Sequence, residues 1–348
     1  MLFILKVSDI VMTVKFGSMI MEAGPEPLIE KAGFDSIWLP DHWAPFSHAF
    51  ATMDPIAGVA ATALPYLPQI LSNTSKCHVG TNILCPTLRY HPAIIAQFFA
   101  QLDRQFPGRV ILGVGTGEAV NATPFLGRFP AYQERRDRLR EAVDLMRKLW
   151  TSQDYFNYEG EYYPMKDVFL YAKPKETIPI VLSAFGERSA ALAGEVCDGV
   201  ITMWNRPEQD RNRILQRFDN AAKKVGKDPD KMIKIACLMG GVTEASTAAV
   251  QISKATWSWS KLSTIHDPDP KSIDAKGQQM PDEEALQYCT FVPKGEDLIE
   301  HFDVALKAGI NHIIMFDMTP AFIAYNMSPP EAANWPLTVL PTLRDKYK

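Results

Sequence analysis

The chain has 348 residues, 47% of them hydrophobic and 22% charged, an ordinary globular make-up long enough for one α/β barrel or two smaller domains. A net charge of −4 and a pI near 6.0 leave no basic footprint for nucleic acid, and no apolar run is long enough to span a membrane. Five cysteines, odd in number, widely spaced and without a CxxC pair, argue against a disulfide or metal framework and point to a reducing cytoplasm.

The opening "MLFILKVSDIVMTVKFG" lacks the basic start and small-residue cleavage site of a signal peptide. Residues 1–13 read as an extension, with Met12 an alternative natural start, ahead of a single domain over 14–348. Short apolar, β-branched runs follow at 14–21, 35–40, 78–84 and 109–115, then at 178–184, 198–203, 233–239 and 311–316. Their near-continuous apolarity predicts eight parallel strands buried on both faces. Between them lie helical patterns at 92–106, 132–150, 188–196, 207–225, 295–308 and from 330 onward. Eight βα units favour a (β/α)8 TIM barrel over an open doubly wound sheet. In the Arg-rich run "QERRDRLREAVDLMRK" acids interleave with bases, so it reads as the solvated face of a helix that buries Leu139, Val143, Met146 and Trp150. Two insertions are expected, after the fourth and the seventh strands. "YFNYEGEYYPM" (155–165) reads as a hairpin or extended excursion, and 257–291, rich in Pro, Asp, Lys and Ser, as an irregular one.

Four predicted strands end in unusual residues. The second is followed by Asp41, His42, Trp43 and Phe46, and the third by Asn82, Ile83, Cys85, Pro86 and Arg89. The fourth runs into "GVGTGEAVN", with Glu118 and Asn121, and the fifth into "SAFGERSA". In a parallel barrel all four fall at the rim where active sites lie. His42 and Glu118 make an acid/base pair, the imidazole titrating near neutrality and a carboxyl rising towards that range in an apolar pocket. The plainer alternatives are a core histidine and a loop carboxylate. Asp41 is equally readable as a strand-end cap. "GVGTGE" fails as a dinucleotide fingerprint, because Glu118 takes the third glycine position and "AVNATPFLGRFP" reads as no helix-opening turn. Its glycines instead let backbone approach a flat ring closely. Gly186 opens a helix whose first amides can hold a phosphate. The remaining histidines show no metal spacing, and no metal is expected.

The segments "SIWLPDHWAPF", "GTNILCPTLRYHPAIIAQ", "RVILGVGTGEAVN" and "DGVIT" resemble the luciferase-like deazaflavin oxidoreductases. The likeness is to the branch of coenzyme F420-dependent glucose-6-phosphate dehydrogenase and of the F420-dependent secondary alcohol dehydrogenase of methanogens. It implies a homodimeric TIM barrel with F420 at the strand C-termini, hydride passing between its C5 and a carbinol or carbonyl carbon. Carried over by position, His42 and Glu118 take the acid/base roles and Asp41 contacts the ring system. Asn82–Ile83 matches a non-prolyl cis peptide that backs the ring. Cys85, Thr116, Gly117 and Asn121 match cofactor contacts, and Phe185, Gly186, Arg188 and Ser189 the cofactor phosphate segment.

Departures from the family bear on substrate. Phe46 stands where the branch carries tryptophan, with Trp43 beside it; Arg206 stands at a phosphate-binding lysine, Leu262 at a second, with Lys261 adjacent, and Tyr288 near an expected arginine. With Met19, Met21, Met203 and Trp204, these suggest an apolar pocket for a small alcohol, ketone or aldehyde. Helix one reads as about two turns short by its rise per residue, and Glu22 is a candidate substrate-facing carboxylate. The alternatives are a glucose-6-phosphate dehydrogenase, a methylene-tetrahydromethanopterin reductase, a monooxygenase using FMN instead, and a non-catalytic deazaflavin-binding protein.

Overall fold

The structure is a computed structural model and describes residues 14–45, 47–48, 62–244, 247–260 and 264–347, with the side chains of 257, 259 and 260 left aside. Phe46, Lys261, Leu262 and the expected N-terminal extension lie outside the described residues.

The described residues form eleven strands, of which the eight apolar runs supply all but β5, β6 and β10: β1 (Lys15–Met19), β2 (Ser36–Leu39), β3 (His78–Thr81) and β4 (Val110–Val114), an antiparallel pair β5 (Phe156–Tyr158) and β6 (Met165–Val168), then β7 (Ile180–Ser183), β8 (Gly199–Met203), β9 (Ile233–Val242), β10 (Thr290–Val292) and β11 (His312–Asp317). Eight of them pair in parallel in the order β1-β2-β3-β4-β7-β8-β9-β11, and β11 returns to β1, closing the barrel. β4, β8 and β9 are buried along their whole length, as strands covered on both faces must be. The ninth strand in the sheet, β10, pairs with the last three residues of β9 and was not expected from the sequence.

Helices pack outside the barrel: α1 (Glu26–Lys31), α2 (Ala63–Asn73), α3 (Pro92–Gln105), α4 (Ala119–Leu126), α5 (Tyr132–Thr151), α6 (Glu187–Val196), α7 (Glu208–Lys224), α8 (Thr247–Ser260), α9 (Pro270–Gln278), α10 (Asp282–Ala285), α11 (Leu298–Lys307), α12 (Thr319–Ala324) and α13 (Trp335–Lys346). Helix α1 is six residues long, short as its sequence suggests. The barrel interior is filled around Trp38, which is fully buried and donates its indole N–H to Ser36 Oγ at 2.8 Å. A Cβ on Gly80 would lie 2.5 Å from that ring, so the flanking strand carries no side chain there.

Three expectations need correction. Residues 119–126 form a helix, although Pro124 and the closing Gly127 made the segment look unlike one. The insertion after β9 is helical rather than irregular: α8 runs into it, α9 and α10 are short and polar, so their apolar periodicity is weak, and Asp269 caps α9 by accepting the Lys271 N–H. Arg135 in the Arg-rich run is 2% exposed, buried with Leu139, Val143 and Met146 instead of facing water.

Candidate active site

Parallel closure brings the C-terminal ends of the strands to one rim, and a deep cavity opens there. Its polar wall comes from the segments after β2, β3 and β4: Asp41 and His42, Asn82 and Cys85, Glu118 and Asn121. Its apolar wall comes from the other side of the barrel, through Met19, Met21, Met203, Met239, Phe185 and Phe316. The convergence expected from the four strand ends is therefore present.

His42 and Glu118 face this one space from β2 and β4. Burial, then the nearby Arg89 charge, pushes the His42 imidazole down to about 4, so it is neutral at physiological pH. Burial pushes the Glu118 carboxyl up, opposed by a hydrogen bond from Asn121 and by the Arg135 charge. A neutral imidazole and a carboxyl raised towards neutrality can each exchange a proton with a bound molecule.

The glycine run before Glu118 is packed closely against the segment of β3. A Cβ on Gly113 would fall 1.9 Å from the Thr81 carbonyl oxygen, and one on Gly115 would fall 1.9 Å from Ile83 Cδ1. These two glycines admit the Thr81 backbone of β3 and the Ile83 side chain that follows it. Gly117 has a φ of 82°, which a side chain disfavours, and lies against Cys85 and Leu88. The Asn82–Ile83 peptide is cis, as the resemblance implied, and Ile83 lines the cavity.

Asp41 and Asn121 have their side chains engaged within the chain. Asp41 Oδ1 accepts from Ala63 N–H at the start of α2 (3.0 Å), from Thr62 Oγ1 and from Tyr90 OH. Its Oδ2 lies 3.1 Å from Arg89 Nη1, so this carboxylate holds α2 and neutralises a cation at the cavity wall. Asn121 donates to Glu118 Oε2 at 3.1 Å and accepts the Trp43 and Ala44 backbone N–H groups.

Comparison with known proteins adds to this geometry. Residues 27–301 match the family model of the luciferase-like monooxygenases. The chain belongs to the luciferase-like family. It is 36% identical over 295 residues (82% of this chain, 84% of the relative) to F420-dependent glucose-6-phosphate dehydrogenase of Segniliparus rotundus, and 32% identical over 296 (83% and 85%) to that of Microbacterium testaceum. The solved structure of an F420-dependent secondary alcohol dehydrogenase in complex with an F420-acetone adduct matches with a TM-score of 0.85 and 30% identity, over 96% of this chain and all of that one. These relatives bear out the resemblance read from the sequence segments.

Several residues expected at the site of this luciferase-like barrel lie off the main cavity. Glu22 does not line it, because the inward positions at the end of β1 and just after it fall to Met19 and Met21. Trp43 is 56% exposed and packs on Phe125 at 5.0 Å. Arg206 sits behind Phe185, donating to its carbonyl at 3.0 Å, and Trp204 is buried beneath Arg211. Thr116, Arg188 and Ser189 gather beside the cavity around Arg135 and Tyr132. The Arg188 guanidinium lies 4.5 Å from the Tyr132 ring, and the Tyr132 hydroxyl meets Ser189 Oγ at 3.0 Å. Gly186 caps α6 next to them.

Sequence reasoning missed Met239, Phe316, Ala255 and Thr256, all of which line the cavity. Met239 and Phe316 end predicted strands and could have been found by their place. Ala255 and Thr256 sit on α8, where no pattern points to the barrel mouth.

Proposed function

We propose that the chain is an F420-dependent oxidoreductase that interconverts a small, uncharged alcohol and its carbonyl compound. The residues present fit such a cofactor: Ile83 and Phe185 back an apolar slot, and the ten-residue α6 begins two residues after Phe185, with Arg188 and Ser189 in its first turn beside the cavity. A helix start of this kind suits an anionic tail. When bound, F420 supplies the hydride acceptor or donor.

The chain's own residues supply the rest. His42, neutral at working pH, accepts the hydroxyl proton of the alcohol, and Glu118 is the second proton-handling group on the same wall. The methionine and phenylalanine wall excludes water and holds an apolar substituent. In carbonyl reduction the same groups return the proton.

One observation carries the substrate class. Among the described residues the cation lining the cavity is Arg89, and Asp41 already neutralises it at 3.1 Å. A phosphate dianion placed there would be desolvated without an unpaired cation to meet it. That favours a neutral substrate over the sugar phosphate in the names of the glucose-6-phosphate dehydrogenase relatives. The same reading carries a homodimer in a reducing cytoplasm, in keeping with five free thiols; light scattering checks the dimer. Anaerobic bleaching of oxidised F420 tests the substrate: 2-propanol should support it and glucose 6-phosphate should not. The reverse order of rates would sink the proposal.

A further inference from the structure

A buried guanidinium lies directly under the turn that carries Glu118. Arg135 is 2% exposed, yet among the described residues its hydrogen-bond acceptors are uncharged. Nη1 donates to the Gly117 carbonyl at 3.0 Å and to Thr116 Oγ1 at 3.3 Å, and Nε donates to the Pro130 carbonyl at 3.0 Å. The rings of Phe129 and Tyr132 lie 4.1 and 5.6 Å from its central carbon. No ion pair to a carboxylate forms among the described residues. Burying a full charge on neutral acceptors is costly, so its place beside one carboxyl calls for a reason.

The same turn is held from the opposite side by the insertion after β9. The Ala119 N–H, directly after Glu118, donates to the Ile265 carbonyl at 2.9 Å, and the His266 ring packs edge-on against Phe129 at 5.3 Å. The turn is therefore clamped between α5 and the insertion, with Arg135 and Phe129 at the junction.

We propose that Arg135 is the positioning residue for Glu118: its guanidinium fixes the Thr116–Gly117 turn and sets the charge of the carboxyl that the turn presents to the cavity. This rests on the reading of Glu118 as a proton-handling group. Among the described residues its other neighbours give no competing positive charge. Cys85 and His42 face it across the cavity wall, Asn121 is neutral, and the Arg89 charge is matched by Asp41. A cation on this side favours the ionised carboxylate, in line with the direction in which Arg135 moves Glu118.

The test needs neither cofactor nor turnover. Infrared titration follows the Glu118 carboxyl band, identified as the band lost in Glu118→Gln. Arg135→Met keeps the stem between the two rings and removes the charge; it should move the midpoint up. Arg135→Lys keeps the charge, so the midpoint should stay near wild type, while the shorter, unforked ammonium loosens the turn and speeds amide exchange at Gly117 and Glu118. An unmoved midpoint in folded Arg135→Met overturns the proposal, and so does an equal shift in both variants. If Arg135→Met does not fold, unchanged amide exchange in Arg135→Lys overturns it alone. A failed alcohol assay would count against the functional reading and leave this titration standing.

Discussion

The side chain of Asn121 is tied to the backbone of Trp43: its Oδ1 accepts the Trp43 N–H at 2.7 Å while its Nδ2 donates to Glu118 Oε2 at 3.1 Å. One amide thus spans the His42 loop and the Glu118 turn and fixes the separation of two groups proposed to meet the same substrate. Proximity of this kind is lost steeply when either loop drifts.

Substituting Asn121 with alanine strands the part-buried Trp43 N–H and frees the Glu118 carboxyl, a loss of about 1–3 kcal/mol per unsatisfied group at most. Turnover should fall about 10- to 100-fold on that scale. Asn121→Asp is the sharper probe. It keeps an acceptor for Trp43 but sets a second carboxylate against Glu118, so the Glu118 ionisation should move to higher pH. A pH–rate profile identical to wild type in Asn121→Asp would show that this contact does not govern Glu118.

His42 yields a prediction with a definite sign. Its imidazole is held down to about 4, so the neutral, proton-accepting form prevails at every pH above that value. The kcat/KM for alcohol oxidation should show no His42 limb near its ordinary value of about 6.5 and should decline only as pH approaches about 4. His42→Ala should lower turnover about 10²- to 10⁴-fold with cofactor affinity, read by deazaflavin fluorescence, unchanged. A wild-type rate in His42→Ala would remove the imidazole from the chemistry.

What the sequence disclosed and what it hid divide along physical lines. The eight barrel strands were legible because strands buried on both faces are continuous apolar runs, as "VILGV" in β4 is. The mouth residues were legible because they follow those runs at once. Helix α4 was hidden by Pro124, and α9 and α10 by a polarity that suits helices lying over a barrel mouth. Arg135 had a signal that went unread: it stands four residues before Leu139, on the face that α5 buries. Its charge masked a position that spacing alone would have assigned to the interior. The glycines of "GVGTG" marked a close approach, but a sequence does not show that Thr81 of β3 and Ile83 just after it lie against Gly113 and Gly115.

At the opposite end of the barrel a buried histidine should set the acid stability of the fold. His312 opens β11 with its Nε2 2.8 Å from Ser36 Oγ, the hydroxyl that also receives the Trp38 indole N–H. Its ring meets Trp38 edge-on at 5.6 Å, and the small polar space around it also holds Lys15, Asp35 and His78. Burial, helped by His78 and Lys15, pushes His312 down to about 3, against about 6.5 in an unfolded chain. Above that unfolded value both states are neutral and the site costs nothing. As pH falls below it the unfolded chain takes up the proton and the folded one does not, so stability drops until pH passes the folded value. The loss from this group is about 2 kcal/mol at pH 5. His312→Gln keeps a polar partner for Ser36 and removes the titration. Urea unfolding at pH 7 and at pH 5 should therefore show a smaller difference in the variant by about that amount, with the lowered His78 leaving a residual slope. An equal pH dependence in the two proteins would mean that the barrel base admits the proton without unfolding.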